Sequence, residues 1–368
     1  MSFPSPIDLK QLRVYPLETR RSLTRIDDVL LSPEAERPAV PEAVAQQIAK
    51  CADSIREAKA KGAAILLIYG AHLLRNGAGR ILDRMMERGW ITHLATNGAG
   101  SIHDWEYSFL GRSTEKVEEN VAAGTFGTWD ETGRYIHLAL LAGSLDNLGY
   151  GGSLGRFISR EELTLPSREE LEQWLRQMPA HPLAPAWADL LGAEIQFDLP
   201  VGKIHLAHRW KHASILGQAF RRRVPLTVHP GIGYDIISNH PMFNGAVIGR
   251  AAGFDFRQFG AAVDRLDNGV VLSIGSAIMG PQVFEKSLSC VHNLRFQQKR
   301  PPVQNYSIYV VDLQEGDWDW SAGEPPKSHP AYYLRFCKSF SRMGGMMRYL
   351  CCDNTAFMLH LCHHLEHT

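Results

Sequence analysis

Unbroken apolar runs alternate along this chain with stretches whose apolar residues recur every three or four positions. The run AAILLIY (63–69) reads as a strand buried on both faces. In AGRILDRMMERGW, Ile81, Leu82, Met85 and Met86 share one helical face, and ITHLAT (91–96) returns as a second strand, which completes a βαβ unit. The pattern recurs further on. ASILGQAFRRR reads as a helix and VPLTVHP as a strand ending at Pro230. FDFRQFGAAVDRL reads as a helix with Asp255 as its N-cap and Phe256, Phe259, Val263 and Leu266 on one stripe. VVLSI, after the Asn268-Gly269 turn, and SIYVVDL (307–313) are further strands. Strands alternating with helices predict an α/β fold, a mostly parallel sheet covered by helices on both faces.

Residues 28–43 are proline-rich and lead to a helix over about 43–60, so 1–60 reads as an arm plus helix. Residues 61–368 then form a single α/β domain with a helical and loop insertion at about 105–200. Lys plus Arg equals Asp plus Glu, 39 each, which offers no steering toward nucleic acid or an anionic membrane. The basic run Arg221–Arg223 reads as a solvated helix end. There is no apolar stretch of the roughly 18 residues a spanning helix needs. Six cysteines without a CxxC pair fit a reducing compartment, and the expected location is cytoplasmic.

In parallel sheets the ligand lies beyond the carboxyl ends of the strands. Five loops follow such ends: GAHLLRNG, TNGAGSIHD, HPGIGYD, GSAIMG and QEGDWDWSAGEPP. TNGAG by itself serves equally as a structural turn or as a backbone cradle for phosphate, and the convergence of the loops favours the second. Beside it stand His103, Asp104 and Glu106. In EGDWDWS, Asp317, Asp319 and Glu315 with Trp318 and Trp320 suit a cationic amine through charge and cation–π contact, or else form a surface loop with packed tryptophans. His205, His208 and His212 would share a face if HLAHRWKH were helical; a polar helix face is the default reading and a metal site the alternative, and no metal is expected. No G-x-S-x-G elbow or P-loop is present.

From about residue 62 to the end the chain resembles deoxyhypusine synthase. The carriers are LIYGAHLLRNGAGRILDRMM…ITHLATNGAGSIHD, VPLTVHPGIGYDII, VVLSIGSAIM and NYSIYVVDLQEGDWDWSAGEPP, in the family's order. The resemblance implies a Rossmann-like NAD-binding domain in a homotetramer with active sites at a dimer interface. It implies oxidation of spermidine or another polyamine with NAD, then transfer of an aminobutyl group through a lysine imine to a protein lysine. Carried over residue by residue, the NAD contacts are Ala71, His72, Leu73, Leu74, Arg75, Asn97, Gly98, Ala99, Ser276, Asp312, Leu313, Asp353 and Asn354. Amine contacts are Asp235, Asp317, Trp318, Asp319, Ser321 and Glu324. The nucleophile is Lys338, with Lys327 as a rival, and a neutral lysine of this kind requires a dry pocket. Two family glutamates are replaced by Ile102 and His103, and the family's catalytic histidine has no counterpart, so His103 or His229 is the candidate base. The alternative implied by those losses is a nucleotide-binding protein without the chemistry.

Overall fold

The computed structural model describes residues 3–316 and 318–367. Its core is a six-stranded sheet: β1 (Ile65–Tyr69), β2 (His93–Asn97), β3 (Leu226–His229), β4 (Val270–Ile274), β5 (Ser307–Asp312) and β6 (Met346–Cys351). Every neighbouring pair is parallel, in the order β3-β2-β1-β4-β5-β6. This is the order of the doubly wound Rossmann sheet, and the direction of winding reverses between β1 and β4. The expected α/β, Rossmann-like class is therefore present.

The strand pleat sorts the apolar runs. Ile65, Leu67 and Tyr69 point to one face, Leu66 and Ile68 to the other, and all five are fully buried. On the first face lie α1 (Glu42–Ala60), α2 (Ala71–Arg75) and α3 (Gly79–Glu87), whose Ile81, Leu82, Met85 and Met86 are all core residues. Burial of each such side chain contributes about 1.5–3 kcal/mol before entropy is counted. α4 (Gly98–Leu110), α5 (Asp130–Leu145), α6 (Tyr150–Arg160), α7 (Arg168–Gln177), α8 (Ala184–Phe197) and α9 (Ile215–Arg222) extend this side. α10 (Gly245–Val263), α11 (Met279–Gln297) and α12 (Arg335–Ser341) cover the second face, and α13 (Asn354–His367) returns to pack on α1. Among the described residues no helix is long and apolar enough to cross a membrane.

Two expectations are corrected by local geometry. Asp255 does not start a helix: α10 begins at Gly245, where the Asn244 side chain caps it, and Asp255 sits inside it. Buried there, its carboxylate instead accepts the N–H groups of Gly151 and Val228, the former at the start of α6. His205, His208 and His212 do not share a helix face. Gly202–His205 is a strand paired with Glu162–Leu165 and Lys211–Ala213 a single 3-10 turn, with His208 buried and the other two exposed. Among the described residues no cluster of His, Cys, Asp or Glu could hold a metal.

Candidate functional site

The segment after β2 is a helix from its first glycine. Asn97 is its N-cap, its Oδ1 accepting the Gly100 N–H at 2.9 Å. Helical spacing then separates the polar residues that the sequence groups together. Ala99, Ile102, His103 and Glu106, at i, i+3, i+4 and i+7, line one cavity of about 320 Å³. Asp104 turns the other way and caps α9, accepting from Ser214 Oγ at 2.7 Å and from the N–H groups of Ile215 and Leu216 at 2.9 Å each. Trp105 is buried among Phe109, Tyr135 and His208.

The N-terminal arm supplies the next wall. Thr24–Arg25 pairs with Arg112–Ser113, directly after α4, and this contact carries Arg20 and Leu23 onto the cavity. Arg20 donates both guanidinium arms to Glu106, at 2.7 and 2.8 Å, and each side chain is only 1% exposed. Burial pushes the Glu106 carboxyl up, but Arg20, His103 and Ser113 outweigh it and hold the carboxyl below its ordinary range. Thr132 and Ser113 also donate their hydroxyl hydrogens to Glu106. His103 Nδ1 lies 2.7 Å from the same Ser113 Oγ, and burial depresses the ring to about 4, so it is neutral at physiological pH.

Across the cavity, the loop after β3 brings in Tyr234, Asp235 and Ile236. Asp235 is 6% exposed and lies at the start of α4, accepting the Gly231 N–H at 2.7 Å. A Cβ on Gly98 would stand 2.1 Å from Asp235 Oδ2, so only glycine opens α4 without displacing the carboxylate. Burial raises this carboxyl to about 6, against the backbone N–H groups of Gly231 and Ala99. Among the described residues no cation pairs with Asp235. Arg75, at the end of α2, also lines the cavity and makes neither an ion pair nor a hydrogen bond among the described residues. The cavity therefore holds one neutralised pair, Arg20–Glu106, and three charges without an ion-pair partner among the described residues: Arg75, Asp235, and Glu115, whose oxygens accept from Trp129 Nε1 and Asn120 Nδ2.

Where the winding reverses, the loops after β1 and β4 meet at Gly70 and Gly275. These glycines touch so closely that a Cβ on Gly70 would sit 2.1 Å from the Gly275 carbonyl oxygen. Gly275 has φ +56°, and its face abuts the Asn354 side chain. Asn354 Oδ1 and Thr355 Oγ1, at the start of α13, are buried without a hydrogen-bond partner among the described residues. Asp353 accepts the Thr355 and Ala356 N–H groups, and Ser276 Oγ accepts that of Gly280, so both serve as caps. Leu73 and Leu74 are core residues, Ala71 and His72 lie nearer the surface, and Asp312 accepts the Gln314 N–H. Leu313 is two-thirds exposed at the lip.

The proposed amine loop lies elsewhere and satisfies itself. Asp319 caps its own turn at Ser321, and Trp318 donates to the Gly323 carbonyl and packs on His329; Asp317 lies outside the described residues. Glu324 pairs with Arg342 and, at 3.0 Å, with Lys338, whose Nζ stands 3.9 Å above the Tyr332 ring. Tyr332 first, then Glu324, raises the Lys338 pKa, the opposite of what an imine-forming lysine needs. Lys327 is exposed on the surface. His229 is buried at the end of β3, 3.1 Å from Thr227 Oγ1 and against Phe259.

Sequence reasoning missed Arg20, Leu23, Thr114, Glu115, Val117 and Phe126 on the cavity wall, and Ser113 buried behind it. The signal for Arg20 was indirect: a carboxylate on an apolar helix face needs a cation.

No family model matches the chain, nor does any curated protein. Among solved structures, unliganded AgrE has a TM-score of 0.45 at 12% identity, covering 90% of this chain and 34% of its own. A conserved putative LOR/SDH protein from Methanococcus maripaludis S2 has 0.44 at 14%, covering 92% and 73%. ArgZ, an arginine dihydrolase from the ornithine-ammonia cycle in cyanobacteria, has 0.40 at 12%, covering 87% and 32%. The chain thus spans about a third of the length of AgrE and ArgZ. AgrE has also been solved with ornithine and NAD+. These neighbours are not deoxyhypusine synthases, which corrects the family resemblance together with its polyamine, spermidine and aminobutyl-transfer implications. The ion-paired Lys338, with its pKa raised, is the physical counterpart of that correction.

Proposed function

We propose that the chain is a nicotinamide-dinucleotide-dependent enzyme acting on a small compound that carries both an amine and an acidic group, an amino acid being the simplest case. The observation that carries this reading is the pairing of an uncompensated Asp235 carboxylate with an uncompensated Arg75 guanidinium in one cavity. Each buried or half-buried charge without a partner costs free energy that a zwitterionic ligand would recover. Arg75 would hold the acid, through two parallel N–H bonds, and Asp235 the ammonium.

The fold suits a dinucleotide. The Rossmann strand order sets the reversal point where dinucleotides bind, small glycines stand there at Gly70 and Gly275, and Asn354 Oδ1 and Thr355 Oγ1 nearby are polar atoms without partners among the described residues. The bound group would supply a hydride acceptor. Asp235 contributes the proton step: with a carboxyl raised to about 6 it accepts one proton from the ammonium, so that the free amine's lone pair drives loss of hydride from the adjacent carbon and leaves an iminium.

Titration of the purified chain with NAD by calorimetry, followed by amino compounds with absorbance read at the NADH band, tests this. Heat with NAD and NADH formation with compounds bearing both groups, but not with amines lacking the acid, is the expected result. Absence of heat with NAD would remove the cofactor assignment, and equal turnover of simple amines would remove the role of Arg75.

A further inference from the structure

We propose that His103 orients the substrate amine by accepting one of its N–H bonds at Nε2, and that Ser113 is the residue that positions it for this. The ligand half of the proposal rests on the functional reading above; the hydrogen-bond half does not.

The direction of each hydrogen in the buried chain Arg20–Glu106–Ser113–His103 is forced from one end. Arg20 has donors only, and it occupies both Glu106 oxygens. The ionised carboxylate has acceptors only. Ser113, wholly buried and in contact with Glu106 Oε2, must therefore spend its single hydroxyl hydrogen there. Its oxygen then has only lone pairs to offer His103 at 2.7 Å, so Nδ1 carries the ring hydrogen and Nε2 is bare. Nε2 makes no hydrogen bond among the described residues, and the ring lines the cavity that also holds Asp235.

A bare nitrogen lone pair accepts hydrogen bonds and repels anions. In the cavity that also holds the Asp235 carboxylate, it fits a group with several N–H donors, and it leaves the acid of the substrate to Arg75. The site should therefore discriminate by N–H count: a primary amine can give one hydrogen to Asp235 and one to His103, whereas an N,N-dimethyl analogue has only one as its ammonium. Ser113 acts through His103 and touches no substrate.

The test begins with nitrogen–proton correlation spectra of the full ligand-free chain, the His103 signal being assigned by its loss in His103→Gln. The expected result is the Nδ1–H form at pH 7. Ser113→Ala should convert it to a mixture, and Ser113→Thr, which keeps the hydroxyl, should restore it. Calorimetry should then show amine affinity roughly fivefold weaker in Ser113→Ala with dinucleotide affinity unchanged. An Nε2–H form in the wild type, or unchanged amine affinity in Ser113→Ala, would overturn the proposal even where turnover is confirmed. A wild type with the Nδ1–H form that binds no amino compound would overturn the functional reading and the ligand role of His103, and leave the Ser113 arrangement standing.

Discussion

The wall of the cavity formed by α4 and the surface segment from Trp318 to Arg342 carry similar residues, acids and bases among aromatics, and use them in opposite ways. In the surface segment the acids are answered from within the segment: Glu324 by Lys338 and Arg342, Asp319 by its own turn. On α4 the answer to Glu106 comes from far away in sequence, from Arg20, and His103 joins that pair through Ser113. Arg75 and Asp235 are left without an ion-pair partner among the described residues, and Glu115 is met only by the neutral donors Trp129 and Asn120. Local satisfaction in contact with water produces a solvated face. Burial with charges left over produces a place for a ligand.

Mutations can sharpen this contrast, and the largest effect is expected at the buried pair. Arg20→Ala strands the Glu106 carboxylate and should cost about 3–5 kcal/mol in a urea titration. Arg342→Ala, in the exposed pair, should leave the same curve unmoved. Equal losses would erase the distinction between the two regions.

Asp235→Asn should weaken amine binding by roughly 100-fold, as expected when one partner of a desolvated charge pair is removed, while raising stability. The sign follows from the carboxyl at about 6, above the ordinary 3.8. The folded state binds the proton more tightly than the unfolded one, so burying the charged form costs stability above pH 6. That cost, about 3 kcal/mol at pH 7, disappears as pH falls below 4. Asp235→Asn should accordingly be more stable than the wild type at pH 7 and no more stable near pH 3.5; a destabilised variant at pH 7 would show the carboxylate to be structural.

Asp104→Ala removes three hydrogen bonds at the start of α9 and should cost about 2 kcal/mol in the same titration, with dinucleotide binding intact. A loss of dinucleotide affinity larger than the loss of stability would move Asp104 into the site. Amine affinity in the wild type should fall tenfold per pH unit below about 6, as Asp235 protonates; a flat calorimetric profile from pH 7 to 5 would remove Asp235 as the ammonium partner. Lys338→Ala is expected to change neither amine binding nor turnover, and any loss beyond twofold would restore Lys338 to the chemistry.

What the sequence by itself determined is the layered fold and where its ligands must lie. Runs such as AAILLIY and VVLSI can be buried only as central parallel strands, and the period of Ile81, Leu82, Met85 and Met86 admits only a covering helix. The strand-end loops followed from that arrangement, and Arg75, Ala99, His103 and Asp235, which they carry, line one cavity, although the family resemblance assigns Arg75 and Ala99 to a dinucleotide. The edge strand Met346–Cys351 was not legible, because a strand exposed at a sheet edge carries polar residues and lacks the unbroken apolar signal. The same limit made HLAHRWKH look helical and Asp255 look like a cap. Only the tertiary structure decided which polar residues keep their charges free. Arg20 reaches Glu106 across 86 positions, and Lys338 is quenched by Glu324 across a loop. A side chain's spacing along the chain fixes the face it occupies, but its partner, and so its pKa and its availability to a ligand, depends on what another segment brings to that face.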